Sequence, residues 1–547
     1  MIVVGLAGTA LAVLAPPLHE LGHLAGAPSV RVLARAPSSK VNGPHVLVFA
    51  LDGVGRDAFH EWLGTDNAAS RLAGRASSAG PTYEHACEVD DALSILPSTT
   101  VPAWTSALTG VPIAVHGVSG NEWFVREERR FVAPAPVSVE GDADTLRALN
   151  DGLIGDAVDA PTVFERVGVR SHVSLHPVYR GASVYTIPDA SDVGDVLARF
   201  SHGLVGADDD PERELYASAD LESVDTLLEA IDAEGLPALQ LIYFPGIDMW
   251  THEAPHPLEG QQAYLREVTA PAVERVLDAY RRRGALDHTS VIFVSDHGHT
   301  PVLDDDRHAL GVGEDDEPTH LLEQLGFRVR GASLEEESDD FSAVVAYQGA
   351  FAYVYLADRS TCPQPGQPCD WTRPPRLEQD VLPVASAFAS PPRRGPLAYL
   401  ADAIDLVLTR VPHAAGEPSE AFGVYDEGEI VPVDAWLRAH PRPELLRLAP
   451  RLAAMSEGPH GDRVGDVALL ARAGSERPIE ERYYFSHPYR SWHGSPAASD
   501  SRITFTVMHP HRTGSALCAE VLSLMEPHPS LVQLTPVIER LLADRPR

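Results

Sequence analysis

Residues 45–53 read His45-Val46-Leu47-Val48-Phe49-Ala50-Leu51-Asp52-Gly53 (HVLVFALDG). The run is apolar without alternation, which predicts a strand buried on both faces, as in parallel sheets. It stops at an acid and a glycine, and a helical stretch follows. Two later stretches repeat the design. Leu239–Phe244 (LQLIYF) leads to Asp248, and Ser290–Ser295 (SVIFVS) leads to Asp296 and His297. A long amphipathic helix over Gln261–Arg283 separates them. Strands alternating with helices predict an α/β fold with a mostly parallel central sheet, helices on both faces and insertions. In such sheets functional residues gather at the carboxyl ends of strands. Asp52, Asp248 and Asp296 all follow such an end.

Outward from these strands, the rest of the chain is less regular. Pro97 to Gly110 supplies turn residues and then a helix that Gly110 stops. Residues 1–43 form an N-terminal apolar segment and a linker over Ala25–Gly43. Residues 44–510 form the main domain, with an insertion around 312–460, and 511–547 form a C-terminal helical segment. Val312–Asp340 is acidic and reads as a solvated surface. Ser342–Asp358 reads as paired strands, and Pro363–Pro396 as a loop. Pro529–Leu542 reads as a terminal helix broken by Pro536.

The chain has 547 residues, 44% hydrophobic and 22% charged, enough for a large core. Its net charge of −35 disfavours a nucleic-acid scaffold. A small phosphorylated substrate remains compatible where cations reverse the local sign. Lys40 is the only lysine and is not followed by Ser or Thr, which excludes a Walker A nucleotide site.

Ile2–Ala15 is an apolar run too short to span a bilayer and of a length suited to a secretory signal. Of the four cysteines, Cys362 and Cys369 bracket a turn (CPQPGQPC) that could close a local disulfide. Both features point to export, to a periplasmic, extracellular or surface location, with the cytoplasm as the alternative. Membrane contact is expected at most through the N-terminal segment, and no oligomeric state is implied. His19-Glu20-Leu21-Gly22-His23 matches HExxH, but prolines precede it and no third ligand lies nearby, so a zinc-protease reading is disfavoured.

The strings VFALDGVGRD, LPSTTVPAWTSALTG, YFPGIDMWTHEAP, VSDHGHT and SWHGSP offer carboxylates, imidazoles and a hydroxyl, in order. Divalent metals of hard or borderline character favour this mixture. Two ions close together can clamp the attacking and leaving oxygens of a displacement at phosphorus. A threonine hydroxyl at a helix start, beside such ions, is activated as a nucleophile. Singly, each piece has a plain alternative. Asp52 would serve as a helix cap, Asp248 and His252 as an i,i+4 surface pair, and Asp296-His297 as turn residues.

Together the blocks LDGVGRD, PSTTVPAWTSALTGVPIAVHGVSGN, IDMWTH, VSDHG and WHGS resemble the alkaline phosphatase superfamily. Within it they resemble the type I phosphodiesterase/nucleotide pyrophosphatase group, from Val46 to His493 with gaps in the middle. The resemblance implies an alkaline phosphatase-like fold and a phosphoric ester hydrolase with two zinc ions. It makes Thr100 the nucleophile. It assigns one zinc to Asp52, Thr100, Asp296 and His297, and the other to Asp248, His252 and His493. It matches Asn121 to an amide that hydrogen-bonds a phosphoryl oxygen.

The sequence departs from the pattern at Pro102-Ala103, where the group usually has Pro-Asn, and at Ser491–Ser495, where it usually has Gly-x-His-Gly-Tyr. Some monoesterases of the superfamily grip a dianionic phosphate with a Lys and an Arg. Lys40 lies outside the blocks, and Arg180 reads as a surface residue. This tilts the expectation toward a phosphodiester or pyrophosphate substrate, nucleotide-like in kind. A phosphomonoesterase and a non-catalytic metal-binding surface protein are the alternatives. The Cys/Ser-x-Pro-x-Arg string of sulfatases is missing around Thr100.

Overall fold

The computed structural model describes residues 28–36, 39–74, 83–139, 141, 143–188, 211–311, 317–334, 338–413 and 418–543. The apolar N-terminal run and the HExxH string lie outside them.

The central sheet has eight strands. From one edge they run Val30–Val32, Val184–Thr186, Ser171–Ser174, Leu239–Phe244, His45–Leu51, Thr289–Val294, Phe505–Met508 and Ala86–Glu88. The middle pairs are parallel, and the outermost pairs at both edges are antiparallel. His45–Leu51 sits between the two other long strands and is buried throughout. Val46, Val48 and Ala50 pack into one hydrophobic core, and Leu47, Phe49 and Leu51 into the other. That is why the run carries no polar alternation.

Register places the site. Leu51 pairs with Phe244, and Ala50 with Val294. The three chains therefore leave the sheet at one level, and Asp52, Gly246 and Asp296 emerge side by side.

A second, six-stranded antiparallel sheet is built from Ala343–Gln348, Phe351–Leu356, Val467–Ala471, Ile404–Thr409, Gly423–Asp426 and Glu429–Pro432. Its first hairpin reaches back to the site.

Several expectations need correction. The stretch read as a linker contains the edge strand Val30–Val32, paired with Val184–Thr186. The helix expected over Gln261–Arg283 begins at Pro257 and passes through a π-turn at Leu265–Thr269 before Ala270–Arg282. Pro271 has no N–H to continue the ladder, and the wider turn absorbs the gap. The Pro/Arg-rich stretch holds the helix Leu382–Ala389, anchored by buried Val384, Ala385 and Phe388. The acidic stretch holds the helix Glu317–Gln324, with Leu321 and Leu322 buried. The terminal helix Leu534–Ala543 is not broken by Pro536. That proline lies in the first turn, where a backbone N–H has no helical partner to lose.

Cys362 pairs with Cys369, and Cys87 with Cys518, 431 residues apart. Among the described residues, no helix is long and apolar enough to cross a membrane.

Candidate active site

Thr100 opens the helix Thr100–Thr109, which Gly110 ends in a left-handed conformation. Thr99, extended, is the N-cap. Thr100 Oγ1 lies 3.2 Å from His297 Nε2. His297 Nε2 in turn lies 3.4 Å from Asp52 Oδ1 and 3.2 Å from Asp296 Oδ2. One ligand atom each from Asp52, Asp296 and His297 falls within 4.8 Å of the others, and the same holds for Asp248, His252 and His493. The two groups adjoin, with His297 Nε2 4.0 Å from Asp248 Oδ1. The structure thus brings together the seven candidate ligands Asp52, Thr100, Asp248, His252, Asp296, His297 and His493.

The histidines share a hydrogen-bond pattern. Nδ1 of His297 meets the Gly298 carbonyl at 3.1 Å, that of His252 the Ser491 carbonyl at 2.7 Å, and that of His493 the Ser98 carbonyl at 2.9 Å. A carbonyl only accepts, so each Nδ1 carries the proton and each Nε2 lone pair is left for the cluster. This arrangement orients histidines for metal binding.

The carboxylates point the same way. Asp52 Oδ1 and Asp296 Oδ2 are buried without a hydrogen-bond partner. Burial, followed by the charges of Asp296 and Asp248, raises the Asp52 carboxyl well above its ordinary range. Burial likewise raises Asp296. For Asp248 burial also opposes ionisation, but His252 and His299 outweigh it and hold the carboxyl well below the usual range. Burial and neighbouring His297 keep His493 well below its normal value. Crowded carboxylates with orphaned oxygens, facing imidazole lone pairs, form a donor set that fits divalent cations.

Residues 46–314 match the family model of type I phosphodiesterases and nucleotide pyrophosphatases. The match covers just under half of the chain and likens it to this group of the alkaline phosphatase superfamily. The match points to a phosphoric ester hydrolase. Among solved structures, a mutant of the alkaline phosphatase PafA superposes with a TM-score of 0.54 at 12% identity, over 87% of this chain and 93% of that one. This likeness shows the alkaline phosphatase-like fold. Phosphonoacetate hydrolase from Sinorhizobium meliloti 1021 gives 0.46 at 16% identity, over 94% and 99%. Murine ectonucleotide pyrophosphatase/phosphodiesterase 5 gives 0.46 at 13%, over 91% and 95%. No curated protein sequence matches.

Asn121 sits beside the Thr100 helix. Its Oδ1 accepts from the Val101 N–H at 3.0 Å, which leaves Nδ2 as its donor. Arg180 lies elsewhere, held by Glu165 and by the carbonyls of Gly155, Val158 and Ala160.

Three contributors escaped the sequence reading. His299, the second histidine of VSDHGHT, donates from Nε2 to Asp248 Oδ1 at 2.8 Å. Burial lowers its pKa to about 4. Tyr243, at the end of LQLIYF, donates its hydroxyl to Asp52. Gln348 bonds the backbone of Asn121 and comes from the second sheet. Gly53, at φ +69°, allows the close approach, since a Cβ there would lie 2.5 Å from His299 Nε2.

Proposed function

We propose that this enzyme hydrolyses phosphodiester or pyrophosphate bonds by way of a covalent intermediate on Thr100, with two divalent cations, Zn2+ in kind. One cation would be held by Asp52, Asp296, His297 and Thr100, the other by Asp248, His252 and His493. The observation that carries this reading is the Thr100 hydroxyl beside His297, at the meeting of two ligand groups whose histidines all direct Nε2 inward. The cations supply the charge that lowers the pKa of a hydroxyl and neutralises an anionic phosphoryl group.

The chain's own residues do the rest. Thr100 Oγ bonds to phosphorus in line with the departing alkoxide, which leaves as the alcohol. At this helix N-terminus the Thr100 N–H is the backbone donor left for a phosphoryl oxygen, since the Val101 N–H donates to Asn121, Pro102 has none and the Ala103 N–H donates to the Thr99 carbonyl. Asn121 donates from Nδ2 to a non-bridging oxygen, stabilising charge without titrating. Water then cleaves the phosphothreonine and restores the Thr100 hydroxyl. One ester bond is broken and one water consumed per turnover.

Among the described residues, neither Lys nor Arg lines the cavity at Thr100, which favours a singly charged diester over a dianionic monoester. The paired cysteines support an exported enzyme. The test is hydrolysis of bis-p-nitrophenyl phosphate against p-nitrophenyl phosphate by zinc-loaded wild type and Thr100→Ala. A diester preference lost in the variant is expected. A monoester preference overturns the diester reading, and equal activity in the variant overturns the nucleophile.

A further inference from the structure

The cavity holding Thr100, Asp52, Asn121, Asp248, His252 and His493 extends well beyond them, with a volume of about 320 Å³. That lies at the lower end of small-ligand pockets. Beside the hydroxyl-bearing Thr145 and Tyr489, its further wall is mainly apolar: Pro134, Pro136, Val137, Leu149, Leu175 and Met249. These come from the loop after Asn121, the helix Ala143–Asn150, the end of the strand Ser171–Ser174 and the helix Gly246–Glu253. Four separate elements thus converge apolar side chains on a phosphoester site. Away from the metal-ligand groups, the acid in the lining is Glu253, which accepts from the Tyr216 hydroxyl at 3.0 Å. A carboxylate at this position repels any second anionic group on the substrate.

We propose that the group esterified to the phosphate and seated in this cavity is an uncharged, apolar alkyl or aryl group. The inference rests on the reading of Thr100 and its metal ligands given above, and names the substrate class that site takes. A nucleoside would place ribose hydroxyls and the polar edge of a base against prolines, Val137 and Leu149. Buried polar groups without partners lose affinity, whereas each methylene transferred from water onto such a wall gains about fourfold in binding.

The experiment measures kcat/KM on metal-loaded enzyme for methyl, butyl and octyl p-nitrophenyl phosphate and for thymidine 5′-(p-nitrophenyl phosphate). The released p-nitrophenolate is common to all four, so the series varies only the retained group. We expect a rise of at least tenfold from methyl to butyl or octyl, with the thymidine ester at least tenfold below the best alkyl ester. Leu149→Arg should flatten the alkyl series, bringing the octyl-to-methyl ratio of kcat/KM to within about twofold of one. Leu149→Phe, which adds bulk without charge, should move the optimum to a shorter chain, and carries the test if the arginine variant does not fold. A flat wild-type series, or the thymidine ester as best substrate, overturns the proposal. Thr100→Ala is assayed alongside on the methyl ester. If it equals wild type, the reading of the site fails, a result distinct from a flat series in an enzyme that depends on Thr100.

Discussion

Gln348 Oε1 accepts the Asn121 N–H at 2.8 Å, although 227 residues separate the two. Gln348 ends one strand of the second sheet's first hairpin, and its Nε2 donates to the Glu122 carbonyl. At the same tip, Ala350 N–H donates to the His493 carbonyl at 3.1 Å. The hairpin thus ties the candidate phosphoryl donor and one candidate metal ligand to a single rigid element. Gln348→Ala would strand two buried backbone groups, at a cost of roughly 1–3 kcal/mol each. The expected outcome is a lower melting temperature and a fall of about tenfold or more in kcat, with metal content unchanged because Gln348 touches no ligand side chain. Elemental analysis alongside kinetics checks it. Loss of metal in proportion to rate would assign Gln348 a different role.

Thr100 is partly accessible at the start of its helix, with no acid in the first turn to compete for a phosphate. Thr100→Ala should cost about 10³-fold or more in kcat/KM while retaining both cations, since each keeps three other ligands. Thr100→Ser keeps the hydroxyl and should stay within about tenfold of wild type. Acid quenching of a turning-over sample, followed by peptide mass analysis, should find the phosphoryl group on Thr100.

Both the fold and the candidate site were legible where a residue's surroundings are local or periodic. The apolar run at His45–Leu51 announced a strand buried on both faces, and the acids after each core strand marked the carboxyl end of the sheet. Tyr243 and His299 were less visible, because each acts by hydrogen-bonding a ligand, and one tyrosine or histidine looks like another until the partner is known. Gln348 carried no signal at all, since its contact depends on the second sheet folding back to Asn121. The helix Leu382–Ala389 was hidden by flanking prolines that lie outside it or in its first turn, where they do no harm.

The two disulfides close loops of very different length. Cys87 joins the edge strand Ala86–Glu88 to the helix Gly514–Met525 across 431 residues, whereas Cys362 and Cys369 are 7 apart. In the chain-entropy account the long loop contributes roughly 2–4 kcal/mol more than the short one. Cys87→Ser with Cys518→Ser should therefore lower the melting temperature clearly, and Cys362→Ser with Cys369→Ser only slightly. Calorimetry on the two double variants decides it, and equal losses would contradict the loop-length argument.

Asp220 links stability to pH from beside the candidate metal-ligand groups, without belonging to them. It is fully buried, accepts from the Tyr264 hydroxyl at 2.9 Å and the Gly246 N–H at 3.3 Å, and burial raises its pKa to about 7. Gly246 opens the helix that carries Asp248 and His252, and a Cβ there would lie 2.3 Å from the Tyr264 hydroxyl. Because the folded pKa exceeds the unfolded one, the folded state holds the extra proton between pH of about 4 and 7. Its stabilising contribution is complete below that window and is lost as pH rises through it, at about 1.4 kcal/mol per pH unit. Asp220→Asn is neutral at every pH and keeps an acceptor for Gly246. The wild-type advantage over this variant in unfolding free energy should therefore shrink steadily from pH 4 to pH 7 and level off above. Asp500, whose pKa burial raises to about 6, contributes equally to both proteins and cancels in the difference. Urea unfolding of both proteins across pH 4 to 8 measures it, and a difference independent of pH would mean that Asp220 is ionised in the folded enzyme.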